Sequence, residues 1–110
     1  MCVLNLILLF GDACAKVGFF DYGRKMFKVI QIDTSEVASF TTNIAIFNGK
    51  PVAHTYVSLA AKDGSGKGGH LLELFVGPTL EMFVTIEPAA LYKRLDKRYE
   101  AGVIDPALEK

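Results

Sequence analysis

The dipeptide Asn48-Gly49 constrains this chain more than any other feature. It lies between two runs rich in β-branched and aromatic residues, Val37 to Phe47 and Pro51 to Ala61. Asn and Gly both tolerate positive φ, so the pair suits a two-residue type I′ turn, or a slightly longer relative, joining two antiparallel strands. The same alternation of extended run and turn continues on either side. Lys16 to Phe20 and Lys25 to Ile32 flank Asp21-Tyr22-Gly23, a short glycine-bearing connection that fits a second hairpin. Lys62 to Gly69 is a glycine-rich connection, and His70 to Phe75 and Thr79 to Ile86 return to strand character around Gly77-Pro78.

In the last of these runs Leu80, Met82, Val84 and Ile86 share one face and Thr79, Glu81, Thr85 and Glu87 the other, which predicts a half-buried strand. Pro88 then suits a first helical position, Ala89 to Ala101 supplies helix formers with cations towards the end, and Gly102 can stop the helix. The expected fold class is α+β: a mostly antiparallel sheet with a short C-terminal helix.

At 110 residues the chain suits one domain, since domains usually hold roughly 100 to 150 residues. Twelve basic residues balance 12 acidic ones, so no global positive field draws the protein to nucleic acid and any DNA contact needs a local patch. A hydrophobic fraction of 51% excludes disorder and leaves surplus apolar surface, which points to self-association. Cys2 and Cys14 form no CxxC motif and read as reduced thiols in a cytoplasmic protein. The apolar opening Met1 to Phe10 is far shorter than the about 20 residues that cross a bilayer as a helix, and without a basic n-region it does not read as an export signal despite Ala13-Cys14-Ala15.

The constellation with most chemical content is His54-Thr55-Tyr56 on one strand and Gly68-Gly69-His70 entering the next. Side chains alternate along a strand, so His54 and Tyr56 share a face, and a neighbouring strand can bring His70 beside them. Here the chain resembles the plants-and-prokaryotes conserved (PPC) domain, whose stand-alone prokaryotic members are regarded as predicted DNA-binding proteins. The resemblance runs from Asp12-Ala13 through Lys16 to Asp21, Glu36 to Phe40, Asn43-Ile44-Ala45, Asn48 to Pro51, His54-Thr55-Tyr56, Gly68 to Glu73 and Leu80-Glu81. It implies an α+β domain with an antiparallel sheet, assembled as a homotrimer.

The resemblance also implies a metal site, commonly zinc, gathered by a His-x-His strand and the His of Gly-Gly-His. That makes His54 and His70 candidate metal ligands, with Tyr56 at the family's second histidine position. The phenol is a weak substitute, because it titrates near 10 while zinc takes about three or four N, S or O donors. Thr42 stands where the family tends to have glycine and is expected to alter a bend. Family members also begin with a further strand and a packing helix, which here are missing or replaced by Val3 to Phe10. The expected organisation is therefore a divergent apolar segment over 1–11, the β domain over 12–88 and a helix and tail over 89–110. A sheet face left uncovered is expected to be buried by partners.

Catalysis has little support. Glu73 could serve as a general base beside His70 only if a bulge brought it to the same face. Ser39, Ser58 and Ser65 lack a nucleophile-elbow context, and Gly64 to Gly69 lacks the spacer and Lys-Ser/Thr pair of a phosphate loop. For DNA, the local patch is Lys93, Arg94, Lys97 and Arg98, which would cluster along one side of the expected helix and contact phosphates without reading bases. The plant relatives' Arg-Gly-Arg-Pro minor-groove hook is absent. The resulting expectation is a self-associating, non-catalytic PPC-domain DNA-binding protein. Alternatives are a zinc-binding module or metal-dependent enzyme centred on His54 and His70, and a purely structural oligomerisation domain.

Overall fold

The computed structural model describes residues 2–5, 12–77 and 79–108. The regular elements among them are eight strands: β1 (Cys2–Asn5), β2 (Asp12–Asp21), β3 (Met26–Phe47), β4 (Lys50–Ala60), β5 (Gly66–Gly77), β6 (Phe83–Ile86), β7 (Tyr92–Asp96) and β8 (Ala101–Asp105). Residues 6–11, which hold the rest of the apolar N-terminal run, and Pro78 lie outside the described residues.

Both hairpins expected from the turn residues form. β2 pairs antiparallel with β3 from Asp21↔Met26, and β3 pairs with β4 from Phe47↔Lys50. Between the latter two, Asn48 and Gly49 take φ values of 51° and 75°, the positive-φ geometry that the Asn-Gly pair suits. The run Lys25 to Ile32, from Met26 onward, and the run Val37 to Phe47 turn out to belong to one 22-residue strand, β3. β5 pairs with both β4 and β2, so β2, β3, β4 and β5 close into an antiparallel ring. Register shifts between Ala13 and Ala15, between Val37 and Ser39 and between Lys16 and Val17 mark bulges, the local bends by which strands curl enough to close.

The ring encloses the core. Ala13, Ala15, Val17, Ile32, Val37, Val57 and Leu59 are buried inside it, with Ile30, Phe40, Leu71, Leu74 and Leu80 packed against them. Beyond the ring the C-terminal half of β3 carries β1, and β1 carries β6. The result is a slab of 44 × 37 × 17 Å.

Two expectations require correction. The described residues contain no helix, so the fold is all-β and not α+β. Where a C-terminal helix was expected over Ala89 to Ala101, β7 and β8 form an antiparallel hairpin, and Gly102 is a strand residue opposite Leu95. Helix propensity is a weak local bias, and here tertiary main-chain bonds override it. The Ile46 N–H donates to the Leu91 carbonyl at 2.8 Å, Tyr92 pairs in parallel with Ile46, and the Asp96 carboxylate accepts the Arg98 N–H at 2.9 Å to fix the turn.

The half-buried pattern expected over Thr79 to Ile86 also fails within the single chain. The strand begins only at Phe83; Leu80 reaches the core, but Met82, Val84 and Ile86 are exposed. No described helix is long and apolar enough to cross a membrane.

Candidate functional site

The outer face of the ring holds the candidate site. Tyr56 on β4 pairs with His70 on β5, and His54 lies one alternation away on the same face as Tyr56. The three side chains converge: the His54 and His70 ring centroids are 4.9 Å apart, His54 and Tyr56 5.1 Å, and Tyr56 and His70 5.7 Å. On the other side of β5, His70 pairs with Gly18 of β2. A Cβ at Gly18 would lie 2.6 Å from Phe27 Cδ1, so the absence of a side chain there lets the Phe27 ring settle over the strand. Phe27 stacks on His70 at 4.7 Å.

Behind His54 the strand is braced from inside the fold. Thr42 and Thr55 are buried, their hydroxyl oxygens are 2.6 Å apart, and Thr42 Oγ1 donates to the His54 carbonyl at 3.0 Å. Thr42 is thus a buried hydroxyl partner of β4. Directly across from His54 in the β3–β4 register sits Asn43, whose buried Oδ1 has no hydrogen-bond partner among the described residues.

The β7–β8 hairpin supplies a third wall that helix-based reading missed. Lys93, Tyr99, Glu100 and Ala101 to Val103 join Phe20, Tyr22, Phe27 and the two histidines around a cavity of about 800 Å³. At its rim the β2–β3 and β7–β8 turns meet: Lys25 Nζ is 3.0 Å from Glu100 Oε1, and Tyr22 packs edge-on against Tyr99 at 6.0 Å. Burial pushes the His54 pKa below 6.5, with the neighbouring His70 and Lys93 charges adding to the effect. Burial followed by the Lys93 charge lowers His70 in the same way. Both imidazoles are therefore favoured as neutral at pH 7.

That donor set does not suit a zinc ion. Two imidazoles and the phenol of Tyr56, which is 55% exposed, face a lysine ammonium whose field disfavours any added cation. The described residues contain no group of three or more His, Cys, Asp or Glu side chains placed to hold a metal. Glu73 is no substitute. The β-bulge that would bring it to the His70 face is present, opposite the Lys16–Val17 step, yet its carboxylate pairs with Lys16 at 3.2 Å. Cys14 is a free thiol on β2, opposite Phe75.

The four cations proposed for DNA do not form one face. Lys93 lines the cavity. Arg94 binds Asp105 at 3.1 Å and lies 3.7 Å from Asp96, while Arg98 reaches Asp96 at 3.3 Å and lies 5.2 Å from the Tyr99 ring centre. The Arg98 hydrogen bonds hold the Asp96 carboxyl below the usual carboxylate range, and Asp96 itself is only 6% exposed. Lys97, in the turn, is exposed.

A family model described as the Plants and Prokaryotes Conserved domain matches residues 13–87. No curated protein matches the chain in sequence. Among solved structures, the chain is similar to a candidate DNA-binding protein of Ralstonia eutropha JMP134, with 32% identity and a TM-score of 0.80 over 94% of this chain and 72% of that one. It is similar to a plant- and prokaryote-conserved protein of Pyrococcus horikoshii at 27% identity and a TM-score of 0.74, over 97% and 74% of the two chains. A metal-containing protein of Archaeoglobus fulgidus shares the fold at 23% identity, with a TM-score of 0.67 over 94% and 72%.

Proposed function

The chain belongs to the Plants and Prokaryotes Conserved domain family, and we propose that it acts as a self-associating, non-catalytic binding protein that contacts DNA through phosphates.

The observation that carries self-association is strand β6. Among the described residues it pairs with β1 alone, leaving its other edge open, and its side chains are exposed on both faces, Phe83 at 63% and Ile86 at 75%. Open main-chain donors and acceptors beside apolar side chains form a ready template for another chain, and such edges are normally covered. Phe75 and Val76 on β5 and Met82 just before β6 add to the exposed apolar surface of a slab too thin to hide it. Charged substitutions at Phe83 and Ile86 are expected to release single chains without unfolding the ring, whose core they do not touch.

The DNA role rests on the Ralstonia eutropha relative and is consistent with the modest electrostatics of the surface. Because Arg94 and Arg98 are held by Asp96 and Asp105, contact would be weak, non-specific and carried by lysines such as Lys97. Fluorescence anisotropy with a duplex oligonucleotide across a salt series tests it. The expected Kd lies in the range of about 10⁻⁴ to 10⁻⁶ M, weakening as salt rises. Lack of binding at low salt and high protein concentration would remove the DNA role and leave an oligomerisation domain.

A further inference from the structure

The cavity beside His54 and His70 is lined by two groups of different chemistry. The two imidazoles lie 4.9 Å apart within reach of the Lys93 charge, and Phe20, Tyr22 and Tyr99 form a run of edge-on ring contacts at 5.0 and 6.0 Å. Its volume of about 800 Å³ lies within the roughly 300 to 1,000 Å³ typical of small-molecule sites, and so does its plan of apolar walls with a few convergent polar groups. We propose that this cavity binds a small planar aromatic anion, a ring bearing a carboxylate or phosphate. The acid group meets Lys93 and the two imidazoles, and the ring lies among the aromatic side chains.

The sign of the charge follows from what balances what. Glu100 is the one carboxylate among the described lining residues, and it is committed to Lys25 at the rim. Lys93 makes no ion pair with any described residue, although its charge reaches both histidines. A cation would add to that field. A neutral apolar guest would bury the ammonium and imidazole groups without a partner, at the cost that unpaired desolvated polar groups carry. An anion relieves both, accepting charge-assisted hydrogen bonds from Lys93 and, once protonated, from His54 or His70. Rings on three elements, Phe27 on β3, Tyr56 on β4 and Tyr99 in the β7–β8 turn, favour a flat aromatic body over an aliphatic one. Ligand capture here requires neither DNA contact nor self-association.

The test is isothermal titration of the full chain with four probes: 2-naphthoate, phenyl phosphate, neutral 2-naphthamide and inorganic phosphate. Chemical shifts of the histidine imidazoles, followed by NMR, report the place of binding. The expected result is that one or both aromatic anions bind and move the His54 and His70 signals, with naphthamide and inorganic phosphate roughly tenfold weaker or more. Which aromatic anion binds more tightly assigns carboxylate or phosphate. Lys93→Met is expected to weaken the anion by roughly tenfold, Lys93→Arg to restore most of it, and Lys62→Met, exposed and outside the cavity, to leave it unchanged. Equal binding of naphthoate and naphthamide, an unaltered affinity in a folded Lys93→Met chain, or no binding of either aromatic anion at millimolar concentration would overturn the proposal.

Discussion

The imidazole rings of His54 and His70 lie 4.9 Å apart on neighbouring strands, one facing the phenol of Tyr56 and the other stacked under Phe27. Their pKa values fall below 6.5, chiefly through burial, so the folded state binds fewer protons than the unfolded one as pH drops through that range. A depressed histidine pKa therefore contributes no destabilisation above 6.5, and stability is lost as pH falls from 6.5 through the folded-state values. Urea unfolding between pH 5 and 8 is expected to give a midpoint that rises with pH and then levels off above 6.5, and His54→Gln/His70→Gln is expected to flatten the curve. A midpoint that falls with rising pH across this range would reverse the assignment.

Gly18 is expected to resist substitution although it lies in a regular strand. In Gly18→Ala the new Cβ falls 2.6 Å from Phe27 Cδ1 and 3.2 Å from Phe27 Cβ, so tilting the ring tip is insufficient and the side chain must move as a whole. Overpacking of this kind costs about 1 to 3 kcal/mol. The loss is expected to appear in urea unfolding together with a changed His70 imidazole shift, because Phe27 no longer stacks there. A Gly18→Ala chain of unaltered stability and unaltered His70 signal would contradict this geometry.

Tyr56 is the residue that separates this site from a metal centre. Two imidazoles beside Lys93 are expected to hold zinc weakly, and a third imidazole on the same face supplies the donor number that zinc sites ordinarily need. Tyr56→His, with Lys93→Met to remove the opposing charge, is expected to raise zinc affinity by roughly a hundredfold or more over the parent chain, measured by competition with a chromogenic chelator. Stoichiometric zinc in the parent protein purified without added metal, lost in His54→Ala/His70→Ala, would show that the present donors suffice.

The parts of the fold that were legible in sequence are those governed by local geometry. Asn48-Gly49 sits at a hairpin turn because both residues tolerate the positive φ needed there, and Asp21-Tyr22-Gly23 opens another because the Asp21 carboxylate accepts the Gly23 and Arg24 N–H groups, the positive φ of that turn falling on Lys25. Alternation likewise put His54, Tyr56 and His70 together. What escaped was set by distant contacts. The stretch from Ala89 to Ala101 is rich in helix formers, yet its main-chain docking on Ile46, its pairing with the following strand and the Asp96 turn make it a hairpin. With that hairpin the cavity acquires Lys93, Tyr99, Glu100 and Ala101 to Val103, six of its 15 described lining residues, whose place in the site had no sequence signal. The bulge on β5 and the Thr42–Thr55 hydroxyl pair depend on ring closure and partner register, which spacing along one strand does not report. The exposure of Val84 and Ile86 has the same origin: alternation shows that one face wants burial, not which surface buries it.

Sedimentation equilibrium of the full chain tests the central claim, self-association through the open β6 edge. The mass of one chain is 12.0 kDa. At micromolar concentration the protein is expected to sediment with three times that mass, as the family resemblance implies, and Phe83→Lys/Ile86→Lys is expected to sediment as single folded chains. A parent protein that remains at the mass of one chain, folded and soluble across the same concentrations, would contradict the account.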